Sequence, residues 1–102
     1  MRDECKVVKR LLSELYPNIQ FKIQFKSTNN YVFGSDSIIV KCPEEVDIND
    51  IIIKIRKWSS GISVFKNGMI SSNNSLNSKI IIPSTKEEYD MNCVNFIKIS
   101  EQ

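Results

Sequence analysis

Residues 19–26 read IQFKIQFK, a four-residue unit written twice. Ile19, Phe21, Ile23 and Phe25 fall in odd register, and Gln20, Lys22, Gln24 and Lys26 in even register. Strict period-two alternation is the pattern of a strand with one buried and one wet face. The stretch therefore predicts a strand whose rings point into a core and whose amides and ammonium groups point outward. What the outward row faces is the functional question: water, a phosphate backbone or a partner protein. With both phenylalanines assigned to the core, that row offers no ring on which a nucleic-acid base could stack.

On its N-terminal side, Cys5, Val8, Leu12 and Leu15 recur at three- and four-residue intervals, widened by Leu11, with Asp3 placed to cap. This predicts an amphipathic helix of about three turns, ended by Pro17 and Asn18. On its C-terminal side, Ser27–Asn30 is turn chemistry. Tyr31–Phe33 and Ser37–Cys42 then predict a second strand, interrupted at Gly34–Asp36 and paired antiparallel with the first.

In CPEEVDINDIIIKIRKWSSG (42–61), β-branching favours a strand, yet Ile48, Ile51, Ile52, Ile55 and Trp58 repeat at helical spacing. Asp47 can cap the start, Lys54, Arg56 and Lys57 suit the C-terminal end, and Gly61 can terminate it, so helix is expected. Asn67–Gly68 between short apolar stretches predicts a hairpin. SSNNSLNS (71–78) reads as an exposed loop, and Lys79–Ile82 and Cys93–Ile99 as strands joined by polar residues. The expected order is α-β-β-α-β-β-β: one α+β domain over residues 1–102, an antiparallel sheet of four to five strands with two helices packed on one face.

Composition narrows the function classes. Apolar residues are 41% and charged residues 25% of the chain, values typical of globular proteins. No apolar run approaches the roughly 18 residues of a membrane span, and the charged start MRDECK is not the pattern of a secreted chain. Cys5, Cys42 and Cys93 are scattered, without metal-ligand spacing, which suits reduced thiols in a cytoplasm. With no histidine, the commonest zinc ligand and general base is missing, and a catalytic cysteine would lack its usual partner. No cofactor or metal site is expected. Isoleucine, asparagine, lysine and serine are abundant and alanine is absent, a bias that AT-rich coding DNA produces.

Net charge is only +2, but it is unevenly spread. Glu44, Glu45, Asp47 and Asp50 lie between basic flanks that include Lys22, Lys26, Lys54, Arg56 and Lys57. The acidic run can serve the helix start, bind Mg²⁺, or present phosphate-like charge to a basic partner. Lys22 and Lys26 can be a solvated face or contact phosphates. Trp58 is either a core anchor or a partner contact, and Asn67 stands at a turn that could serve as a recognition tip. Glu87–Asp90 reads as a solvated turn.

VVKRLLSELYPNIQFKIQF (7–25), GSDSIIVKC (34–42), KWSSG (57–61) and FKNGM (65–69), taken in order, resemble the large polyvalent protein-associated domains, small modules of phage and plasmid proteins. In that family a helix and a (Y/F)P-hydrophobic strand precede a strand of the "SIDV" kind, a second helix and an FDGM-like turn. SIIV (37–40) and FKNGM occupy those places here, and the similarity spans about residues 7–72. Lys66–Asn67 replaces the acidic residue expected before the glycine, so no acid-dependent role of the turn carries over. The family supplies no catalytic residues.

The resemblance implies a mobile-element origin. The resulting expectation is a non-enzymatic binding protein, cytoplasmic in a bacterial host, that inhibits a host nuclease or defence complex in the manner of an anti-CRISPR protein. The alternative is a nucleic-acid-binding accessory module using a basic sheet or helix surface. The expected partner is a host protein or nucleoprotein complex, with nucleic acid and a second copy of the chain as alternatives and no membrane. The expected contact residues are Glu44, Glu45, Asp47, Asp50, Lys22, Lys26 and Asn67.

Overall fold

Helix α1 (Asp3–Leu15) buries Cys5, Val8, Leu11 and Leu12, the stripe its periodicity marks out. Arg2, not Asp3, is the N-cap, and Asp3 and Glu4 sit in the first turn, where carboxylates complement the helix dipole. After Pro17, strand β1 (Lys22–Lys26) takes up the alternation, with Ile19–Phe21 as its lead-in. β2 (Asp36–Cys42) leads to α2 (Ile48–Lys57), where the Asp47 side chain accepts from the Asn49 N–H at 2.9 Å. The end signals thus prevail over the β-propensity of the isoleucines. β3 (Ser59–Ser60), β4 (Ser63–Lys66), β5 (Lys79–Ile81), β6 (Glu88–Asp90) and β7 (Val94–Glu101) complete the chain. The structure, a computed structural model, describes residues 2–27, 36–69, 77–91 and 94–101. Tyr31–Phe33, most of the 71–78 loop and Cys93 lie outside them.

The fold is α+β, with a four-stranded sheet in the order β1-β2-β7-β4 and a three-stranded sheet in the order β3-β5-β6. β1 and β2 are antiparallel, as expected. β7, however, runs parallel to both β2 and β4, so the larger sheet is mixed. The physical reason is two crossovers, α2 returning the chain from β2 to β4 and the small-sheet strands β5 and β6 returning it from β4 to β7. A strand, a helix and a returning strand in one sheet give parallel partners, and β7 inserts between β2 and β4. β6 forms within the polar segment read as a turn, pairing Tyr89 with Ile80.

Asn67–Gly68 does form a tight turn, with Met69 N–H bonded to Lys66 C=O at 3.2 Å and Gly68 at φ +96°. It does not close a hairpin among the described residues. β4 pairs with β7, while β5, the next described strand, belongs to the other sheet. Gly61, at φ +72°, serves the β3–β4 link rather than the end of α2.

One core joins these layers. Ile38, Val40, Ile97, Ile99 and Val64 line the inner face of the four-stranded sheet and meet Val8, Leu11 and Leu12 of α1 and Ile51 and Ile55 of α2. Ile80 and Ile82 bring the small sheet into the same core. Register explains the layering: Ile23 opposes Val40, Val40 opposes Ile99, and Ile38 opposes Ile97, which opposes Val64. The rings of Phe21 and Phe25 pack against this core and remain half-buried, because β1 is an edge strand.

Candidate functional site

The outer face of the four-stranded sheet follows from the same register. It forms three rows running across the strands: Lys22–Lys41–Ser100, Gln24–Ile39–Lys98–Phe65, and Lys26–Ser37–Phe96–Ser63. Both helices and the small sheet contribute to the core on the other side. The rows contain four lysines and no carboxylate. Cross-strand partners have Cβ atoms roughly 5 Å apart and diagonal neighbours about 7–8 Å. Lys22 and Lys41 directly oppose one another, and Lys98 lies on the diagonal from Lys41. None of the four lysines makes an ion pair among the described residues.

The face is not wholly free of aromatic residues, as the strand of residues 19–26 alone implied. β4 and β7 place Phe65 and Phe96 on it, in an edge-to-face pair with centroids 6.0 Å apart. These rings nevertheless make a poor stacking platform. Phe65 is only 8% exposed and Ser37, one row away, only 2%. The exposed residues of the face are those of β1, Lys22, Gln24 and Lys26, and at the Lys22 end they are joined by Lys41 and Lys98. Lys22 is exposed, and Lys41 and Lys98 are half-exposed.

The acidic candidates separate into two groups. Glu44 and Glu45 are exposed in the turn before α2 and make no ion pair among the described residues. Asp47 is occupied as a cap. Asp50 is an internal tie: it accepts from the Tyr16 hydroxyl at 2.5 Å and pairs with Lys54 at 3.1 Å. The Tyr16 hydrogen bond, then Lys54, holds the Asp50 carboxyl below the ordinary carboxylate value. Burial, reinforced by that carboxylate, pushes the Tyr16 phenol well up. Tyr16 ends α1, so this pair joins the end of one helix to the start of the other. Sequence spacing signals Asp50 and Lys54 as an i,i+4 pair, but nothing in it indicates Tyr16.

Beside this turn lies a pocket of about 430 Å³, lined among others by Cys42, Glu44, Asp47, Lys66 and Glu101. It opens at the carboxyl ends of the parallel strands β2, β4 and β7 and at the N-terminus of α2, where α/β proteins commonly bind ligands. Its charge opposes an anionic occupant, since Glu44, Asp47 and Glu101 outnumber Lys66. Cys42 is turned inward, with its Sγ 3.5 Å from Val46 C=O, and burial first, then Asp47, raises its thiol above the ordinary value. Burial likewise raises Cys5. Both thiols are thereby kept protonated and poorly nucleophilic. Among the described residues no group of three metal-ligating side chains converges.

Asn67 is exposed at the end of β4, its N–H bonded to Ile99 C=O at 2.7 Å, on a different part of the sheet from Lys22 and Lys26. Trp58 packs against the core, and the Lys86 and Lys57 ammonium groups lie 4.5 Å and 5.6 Å from its ring centroid. Lys41 and Lys98 are the residues that local reading overlooked. Their signal is present as alternation in SIIVKC and FIKIS. Only the pairing of β2 with β7 brings the two together. No described helix is long and apolar enough to cross a membrane. Comparison with protein-family models, with curated proteins and with solved structures yields no match.

Proposed function

We propose that this chain is a small non-enzymatic binding protein of a phage or other mobile element. In this reading it docks the lysine end of its sheet onto the anionic surface of a host nucleoprotein, such as a nuclease or CRISPR-type defence complex, and thereby inhibits it. The mobile-element part rests on the resemblance to large polyvalent protein-associated domains. The binding part rests on one observation: Lys22, Lys41 and Lys98 lie together on a sheet face whose described rows carry no carboxylate. Like charges placed directly opposite on a ladder destabilise it, and an anion lying across them relieves that repulsion.

The direct test is binding to long-chain inorganic polyphosphate at low salt. The double variant Lys22→Glu/Lys41→Glu should lose binding with unchanged circular dichroism. A wild-type protein that binds no polyanion under those conditions contradicts the reading.

A second reading is favoured by exposed Glu44 and Glu45 beside Glu101. Here the acidic rim meets a basic cleft of the host complex in place of its nucleic acid. Affinity capture from host lysate separates the two. Loss of a nucleoprotein on Lys22→Glu/Lys41→Glu supports the lysine face, whereas loss on Glu44→Lys/Glu45→Lys supports the rim.

A further inference from the structure

We infer that the ligand of the lysine face is the phosphate backbone of a nucleic-acid duplex, held without readout of base identity. This rests on the lysine-face reading and specifies its ligand. Three features of the face carry it.

The first is that the rings described on this face, Phe65 and Phe96, are poorly available for stacking. Proteins that hold single strands gain much of their affinity from bases stacked on exposed aromatic side chains. Here Phe65 is buried, at 8% exposure, and Phe96 meets it edge-to-face. A single strand would thus gain little beyond its charge. A duplex carries about one phosphate charge per 1.7 Å of axis against one per 3.4 Å for each strand, so a surface acting through charge alone favours the duplex.

The second feature is the chemistry of the donors. All the cations of the face are lysines, and arginine is absent from its rows. Bidentate recognition of a guanine edge is mainly an arginine geometry, while an ammonium on a flexible stem acts as a point charge toward phosphate. The third is shape. The lysines stand on the pleated surface of strands about 4.8 Å apart, with no described helix or ribbon projecting from that side to enter a groove. Such a surface lies along a backbone.

The contact is also countable. Lys22, Lys41 and Lys98 form one cluster, while Lys26 lies at the opposite end of β1 from Lys22. Three neutralised phosphates give a slope of log affinity against log salt of about −2.7 on a duplex.

The experiment titrates full-length protein into a fluorescent duplex of about 20 base pairs, its separated strand and a duplex of unrelated sequence, between about 50 and 200 mM salt. Expected are tighter binding to duplex than to single strand, affinities for the two duplexes within about two-fold, and the slope above. Lys98→Gln should make that slope shallower by about 0.9 without shifting the melting temperature by more than a few degrees. Tighter binding to the single strand, strong discrimination between the duplexes, or a slope untouched by Lys98→Gln would overturn the inference. Inorganic polyphosphate, measured alongside, separates the levels. If polyphosphate binds through these lysines and the duplex does not, the duplex inference falls while the lysine face stands. If neither binds, both fall.

Discussion

Lys41→Glu should stabilise the fold while removing its binding. Lys41 faces Lys22 directly across the β1–β2 ladder and has Lys98 on its diagonal, with no carboxylate in these rows. A directly opposed like pair costs roughly 0.2–1 kcal/mol and an opposed unlike pair returns a similar amount, so the exchange is worth about 0.4–2 kcal/mol before screening. Lys41 is half-exposed and Lys22 exposed, so screening in salt keeps the gain in the lower part of that range, about 0.5–1 kcal/mol. In a domain of 102 residues this raises the melting temperature by about 2–8 °C. The gain is electrostatic, so it should be clear at low ionic strength and nearly vanish near 1 M salt, where the Debye length falls to about 3 Å. Thermal melts followed by circular dichroism at the two salt concentrations measure it directly. Lys54→Glu is the contrast: it makes the same charge change but removes an ammonium 3.1 Å from the Asp50 carboxylate, and should lower the melting temperature. A Lys41→Glu protein that is no more stable at low salt, or whose gain is independent of salt, would refute the placement of Lys22 and Lys41 as unpaired neighbours.

Ile97→Ala, at a fully buried position opposed to both Ile38 and Val64, should cost about 2–5 kcal/mol in urea unfolding, while Lys98→Ala beside it should cost under about 1. Asp50 has a lowered pKa in the folded protein. Its contribution is therefore present above the unfolded value of about 3.9 and is lost as pH falls through the lower folded value, so Asp50→Asn should flatten the acid limb of stability below about pH 4. Lys86 occupies φ +61° in the turn between β5 and β6. Lys86→Gly should be more stable than Lys86→Ala by about 0.5–1 kcal/mol in chemical denaturation, since both lose the ammonium and only alanine keeps a strained Cβ.

What could be read from the sequence divides along the range of the interactions. Both helices were visible because their stripes and caps are local: Cys5 to Leu12 in one, and Asp47 with Ile51, Ile52 and Ile55 in the other. The inward turn of Phe21 and Phe25 was visible because alternation depends only on next-nearest neighbours. The parallel placement of β7 was not, because it pairs residues 94–101 with residues 36–42 and 63–66 across intervening elements, α2 and the small sheet among them, and no short signal carries such a pairing. The hairpin expected at Asn67–Gly68 shows the same limit. The local chemistry specified the turn, but the partner of β4 was fixed by the sheet. For the candidate site, Lys22 and Lys26 were marked by alternation alone, whereas Lys41 and Lys98 join them only once the register is known. Asp50 looked like a surface charge because its partner Tyr16 lies 34 residues away.

Amide chemical-shift mapping during titration of unlabelled duplex into isotope-labelled protein tests the lysine face most directly. Lys22, Lys41, Lys98 and their neighbours on β1, β2 and β7 should shift together and saturably, with Glu44–Asp47 and the exposed side of α2 unaffected. Shifts centred on Glu44–Asp47, or an unperturbed outer face at saturation, would contradict the account.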